Sequence, residues 1–80
     1  MKIFSVHDMK AEAYLPPIFV KSTGEAMRIF ETTCKDTNTN FNKYPHDYTL
    51  VELGEWDEQS ATFLTSEKPR ILANASEYIQ

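Results

Sequence analysis

His7, Asp8, Cys34 and His46 are the side chains of this chain whose types could carry covalent or acid–base chemistry. A working nucleophile needs a base within hydrogen-bond reach and a third group to orient that base. Here the thiol stands far in sequence from both imidazoles, and no local motif presents it as a nucleophile. A structural zinc site needs four ligands at close, paired spacing, which one cysteine and two scattered histidines do not provide. Gly24 and Gly54 stand alone, so there is no glycine-rich loop to cradle phosphates. These residues point away from an enzyme and require no cofactor and no metal. Cys34 reads instead as a small core residue on a helix.

Binding chemistry has more to work with. Phe41-Asn42-Lys43-Tyr44, preceded by Asn38 and Asn40 and followed by His46, interleaves rings with a cation and amides. Such rings stack on bases of any sequence at roughly 1–3 kcal/mol each, while Lys43 and the amides reach phosphates. The same rings can equally anchor a long connection over the core, and both readings stand at this point. A second set comprises Lys2, Lys10, Lys21 and Arg28 with Tyr14 and Phe19. These suit single-stranded nucleic acid where a sheet gathers them on one face, and are otherwise an ordinary solvated surface. Glu52, Glu55, Asp57, Glu58 and Glu67 make the opposite case. They read either as charges that keep a hairpin from pairing edge to edge, or as a surface that imitates phosphates or turns DNA towards the other face. Trp56 reads as a core anchor or a contact between copies, with a ligand contact as the lesser alternative.

Something must position these groups, and the 80 residues, 41% hydrophobic and 25% charged, allow one small soluble domain. A chain this short buries only about 60% of its unfolded surface. A homodimer or larger homo-oligomer is therefore expected, joined through an edge strand at Ile18, Phe19 and Val20 or through the hairpin at Trp56. Eight basic against twelve acidic residues give a net charge of −4, which excludes condensing a genome by charge alone. Residues 1–43 nevertheless carry a net +1 and residues 44–80 a net −5, so the two halves face different surroundings. No apolar run approaches the roughly 20 residues that span a bilayer, and the start, Met1 to Asp8, reaches charge too soon for a signal peptide. The expectation is a protein that stays in the cytoplasm with no membrane partner.

The local patterns predict a first strand over Lys2 to His7 and a short second one over Ile18 to Lys21, beside the Pro16-Pro17 pair. Lys10 to Ala13 allows one helical turn between them. Ser22 followed by Glu25 predicts a helix start, and Ala26, Ile29, Phe30, Thr33 and Cys34 form its apolar stripe as far as about Asp36. A long strand over Tyr48 to Trp56 turns at Asp57 to Ser60 into a partner over Ala61 to Thr65. Beyond Pro69 the chain reads either as a last strand over Arg70 to Leu72 or as a short terminal helix. The fold class is α+β, one helix on a three- or four-stranded, mainly antiparallel sheet in the order β-β-α-β-β, with Ile3, Val6, Ala26, Phe30, Val51, Leu53 and Phe63 buried.

One ordered set of residues adds a resemblance. Met1-Lys2-Ile3-Phe4-Ser5-Val6 leading to Asp8, Lys10-Ala11 and Tyr14, Gly24-Glu25-Ala26 with Arg28 and Phe30, and Asp47-Tyr48-Thr49-Leu50 running into Glu52-Leu53-Gly54-Glu55 and Asp57 resemble the small nonstructural protein of gokushovirus-type microviruses. These are single-stranded DNA phages, and the resemblance covers residues 1–58. It implies a nonstructural phage protein in the cytoplasm of the infected bacterium, binding single-stranded DNA or assisting genome synthesis. The alternative is a non-enzymatic regulator that binds the phage replication initiator or a host replication factor. The resemblance brings no functional residue set with it.

Overall fold

A computed structural model describes residues 1–79. The first strand, β1 (Lys2–Asp8), ends where the Asp8 carboxylate accepts the backbone N–H groups of Lys10 and Ala11, at 3.0 and 3.2 Å. Those bonds resemble a helix cap, but Glu12, in the left-handed region at φ 56°, reverses the chain, so the helical turn at Lys10 to Ala13 does not form. The returning edge strand is broken: β2 (Ala13–Tyr14) pairs with one end of β1 and β3 (Ile18–Val20) with the other. Pro16 and Pro17 lack the N–H a ladder requires, so they fall in the gap. Between the pieces Leu15 stays attached, its N–H on the Val6 carbonyl and its own carbonyl taking the Ser5 hydroxyl at 2.6 Å.

Helix α1 (Thr23–Lys35) starts where predicted, with the Ser22 hydroxyl accepting the Glu25 N–H at 3.1 Å. Its buried stripe is Ala26, Phe30 and Cys34, a strict i, i+4 row, while Ile29 stays exposed. A short helix α2 (Asn40–Lys43) and a 3-10 turn at Pro45–Asp47 replace the expected loop. Thr39 caps α2 and the Asn42 side-chain amide donates to the Cys34 carbonyl at 2.9 Å, closing the end of α1. The long hairpin follows: β4 (Tyr48–Asp57) and β5 (Thr62–Asn74). The tail resolves its two readings in succession, strand through Asn74 and then a 3-10 turn at Ala75–Tyr78 held by a capping box between Asn74 and Glu77.

The result is α+β, one main helix on a curled antiparallel sheet whose path runs β2-β1-β4-β5, with β3 also on β1. One face packs α1: Phe4, Tyr48, Leu50 and Ala73 meet Ala26, Phe30 and Cys34. Three expected core residues behave differently: Val6 packs against the core but is only partly buried, beside a cavity it shares with Leu15 and Pro16. Phe63 is 59% exposed, because it sits near the hairpin turn where no helix reaches, and Leu53 is only half-buried, because it is an extra residue in its strand.

That extra residue is a β-bulge: Ile3 pairs with Gly54 and Phe4 with Glu52, leaving Leu53 unmatched. Against β5 the mismatch is larger, since Glu52 pairs with Arg70 and Gly54 with Thr65, so Ser66 to Pro69 together face Leu53. Gly54 adopts φ +153°, and a Cβ there would lie 2.1 Å from the Leu64 carbonyl oxygen. Gly54→Ala is expected to cost about 2 kcal/mol or more, lowering Tm by roughly 8 °C or more. Gly24, in the first turn of α1 with nothing within 4 Å of its would-be Cβ, is the control: Gly24→Ala should leave Tm unchanged or raise it. Thermal melts of the two variants check both.

Candidate functional site

The pleat sorts the sheet's side chains onto two faces, and the bulge at Leu53 decides which. Up to Glu52, the even-numbered residues of β4 face the helix. After the extra residue Glu55 pairs with Lys2, still on that face, while Gly54 pairs with Ile3 and Trp56 with Phe63 on the other. Asp8, Glu52, Glu55 and Asp57 therefore lie on the helix side. The helix-free side carries Ile3, His7, Tyr14, Phe19, Thr49, Val51, Trp56, Phe63 and Ile71, with no carboxylate among these positions.

This open side is a trough rather than a plane. Phe19 and Phe63 stand on opposite edges of the sheet, which three strand spacings of about 4.8 Å would hold far apart, yet their ring centroids are 6.4 Å apart. Trp56 joins them, 4.8 Å from Phe63. At the other end His7 and Tyr14 are 4.7 Å apart, and a cavity of about 320 Å³ there is also lined by Thr49, Val51, Lys68, Pro69 and Ile71. The Ser66–Pro69 excursion thus brings a lysine from one edge to a cavity shared with an aromatic pair on the other. The floor is covered, Ile3 being 4% and Val51 2% exposed, while the rims are open, Tyr14 at 52% and Ile71 at 75%. Glu58, in the hairpin turn, reaches the aromatic end and lines its cavity with a carboxylate.

Of the residues singled out from sequence, Tyr14 and Phe19 share this trough with Trp56. Lys2 does not: it lies on the helix side, 3.8 Å from Glu52. Lys21 and Arg28 are exposed beside and on α1. Lys10, Asn40 and Tyr44 line a different cleft, of about 580 Å³, with Asp8 and Asp47 beside them, and Lys43 is exposed on α2 close by. Phe41 packs inward, 4.5 Å from Tyr48 and 5.8 Å from Phe30 between ring centroids, so it anchors the connection. Ile18 and Val20 point to the helix side of β3 and Phe19 to the trough. Sequence reasoning does not bring His7, Lys68 and Phe63 together as a set. A glycine inside a strand, Gly54, is the signal that a bulge re-aims the side chains beyond it.

Residues 1–78 match the family model for the Phage ORF5 protein. The chain belongs to that family. The match runs on through β5 and the 3-10 turn, well past residue 58. No curated protein and no solved structure matches the chain significantly. Among the described residues of this ORF5 family member, no helix is long and apolar enough to cross a membrane and no group of three or more metal-ligating side chains converges.

The four chemistry-bearing residues of this phage protein are separated. His7 faces the trough, Asp8 holds its turn, His46 lies in the 3-10 turn, and Cys34 is buried in the core on the helix side. Burial pushes the Cys34 thiol up to about 11, with Glu31 adding to it. A thiol held above its ordinary 9.0 keeps its proton in the folded state, so its contribution to stability is complete below pH 9 and is lost as pH rises towards 11. Tyr48 and Tyr78, both raised mainly by burial, act in the same direction above pH 10. Urea midpoints should therefore fall from pH 9 upward, and Cys34→Ala should be less stable yet flatter between pH 9 and 10. An alkylating reagent at pH 8 should label Cys34 only on unfolding.

Proposed function

We propose that this phage protein is a non-catalytic, nonstructural factor that binds single-stranded DNA during genome synthesis in the cytoplasm of the infected bacterium, with the trough as its binding surface. The observation that carries this reading is the joint placement on one open sheet face of exposed rings and a lysine, with Asp8, Glu52, Glu55 and Asp57 on the other side and Glu58 at the far aromatic end alone. Single-strand binding needs those parts: rings on which bases stack, a cation for the backbone, and no acidic group beneath the strand. The resemblance of residues 1–58 to the gokushovirus protein, whose phages package single-stranded DNA, supports the same reading. No cofactor enters it.

A second reading has its own observation. Glu52 is occupied by Thr23, Lys2 and Arg70, whereas Glu55, Asp57 and Glu58 stand exposed at the hairpin tip. An acidic tip of this kind suits a basic surface on the phage replication initiator or a host replication factor. Recovery of such a protein from infected cells after nuclease treatment, lost on replacing the three carboxylates by amides, would favour it. Pairing of two copies, expected from the size of the chain, belongs to the same proposal, and light scattering at micromolar concentrations reads it directly.

For DNA, titration with a labelled single strand should quench Trp56 fluorescence and raise anisotropy, more strongly at 50 than at 200 mM salt. Tyr14→Ala and Phe63→Ala should each weaken binding by roughly 5- to 100-fold, the value of one stacked base. Lys68→Gln should reduce the salt slope by about 0.7. Absence of binding at low salt would remove the reading.

A further inference from the structure

The trough has two aromatic stations, and their separation sets a length. Tyr14 pairs with His7 and Phe19 with Ile3. Four residues of β1 therefore separate the stations, about 14 Å at about 3.4 Å per residue. Between Ile3 at one station and Thr49 at the other, the floor is the Ser5–Val51 pair, with Lys68 alongside. At the far station Phe19 and Phe63 meet across the sheet, and Glu58 lines the same open cavity. A strand entering from the His7–Tyr14 end ends its track there, since a phosphate carried further meets a carboxylate.

We propose that the trough is a two-point clamp for a single strand, in which one base stacks on the His7–Tyr14 pair, another on the Phe19–Trp56–Phe63 cluster, and Lys68 takes a backbone phosphate between them. This rests on the trough being the DNA-binding surface and goes beyond it by fixing the footprint. At the roughly 3.4 Å rise of a stacked strand, 14 Å is about four steps, so about five nucleotides bridge the stations. A more extended strand bridges with fewer, and two nucleotides cannot. A duplex, its bases already stacked and paired, offers neither station a free ring face.

Linking two weak contacts makes the second one intramolecular, so affinity rises abruptly once the strand is long enough. Oligothymidylates of two to ten nucleotides, titrated into the full chain at low salt, should bind weakly at two, gain at least tenfold between two and five or six, and change little thereafter. A duplex of the same length should bind at least tenfold more weakly than the ten-nucleotide strand. Tyr14→Ala should abolish the step while leaving the affinity for the shortest strand near its original value, and Lys68→Gln should lower the plateau. Circular dichroism confirms that both variants fold. Affinity rising in even increments per nucleotide, or a step that survives Tyr14→Ala, overturns the clamp while leaving DNA binding intact. Absence of binding at every length overturns both.

Discussion

One unmatched residue, Leu53, governs what each side of this sheet presents. Side chains alternate along a strand, so a slip of one position exchanges the faces of everything beyond it. In an unbroken β4, Trp56 would share the helix side with Leu50 and Glu52, and Glu55 would join the other side. The bulge reverses that order: Glu52 and Glu55 both remain on the helix side, and Trp56 emerges opposite. Gly54 makes it feasible, because only a residue without Cβ fits under the Leu64 carbonyl at φ +153°. β5 answers with the Ser66–Pro69 detour, which brings Lys68 and Pro69 to the open face. The placement of aromatic cluster and lysine follows from this irregularity, and a second one, Leu72 unmatched between the Leu50–Ala73 and Val51–Ile71 pairs, turns Ile71 to the same face.

The strand just before the bulge is fastened from the helix side. Glu52 is mostly buried, accepts the Thr23 hydroxyl at 3.0 Å, and lies 3.8 Å from Lys2 and 3.9 Å from Arg70. The two ion pairs have exposed or half-exposed cations and are worth little individually. The hydroxyl bond to a charged acceptor is stronger and joins the first residue of α1 to β4. With β1, β4, β5 and the helix start meeting at one carboxylate, the helix cannot slide along the sheet. The opposite face buries Ile3 and Val51 without a helix over them and leaves the rings at its rim exposed.

The helix is legible in the sequence because its signal is local: a serine cap, then an apolar row at i, i+4. The first strand and the hairpin are legible for the same reason, from alternation and a polar turn. The division of the edge strand is half legible, since Pro16-Pro17 announces a gap without showing that Ala13 and Tyr14 pair before it. Which way Trp56 and Phe63 point is not legible at all. Period-2 counting assumes an unbroken ladder, and here the ladder slips at Leu53 against two neighbours by different amounts. Such counting puts Phe63 in the core and leaves Lys68 as one more surface lysine. Phe41 shows the converse: its spacing with Lys43 and Tyr44 suits a binding loop, but proximity to Phe30 and Tyr48 in space makes it an anchor.

A chain of net charge −4 is a poor partner for a polyanion until the distribution of charge is set against the distance over which charge acts. Carboxylates on the far side of a sheet lie about 10 Å from a ligand on the near side, which is about one Debye length at physiological salt. Asp8, Glu52, Glu55 and Asp57 are in that position, and Glu52 is further neutralised by its own cations. What a strand in the trough meets first is Lys68 and the ring faces of Tyr14, Trp56 and Phe63, with Glu58 at the far aromatic end. Lowering the salt lengthens the reach of the remote carboxylates as well as of Lys68. If the trough takes a single strand as proposed, the long-range field opposes approach while the local contacts favour binding, so salt would act on the association rate and on the residence time in opposite senses. On the proposed reading, a basic single-strand binder would gain in both from low salt, whereas this chain, with its acidic balance, would gain only through its local contacts in the trough.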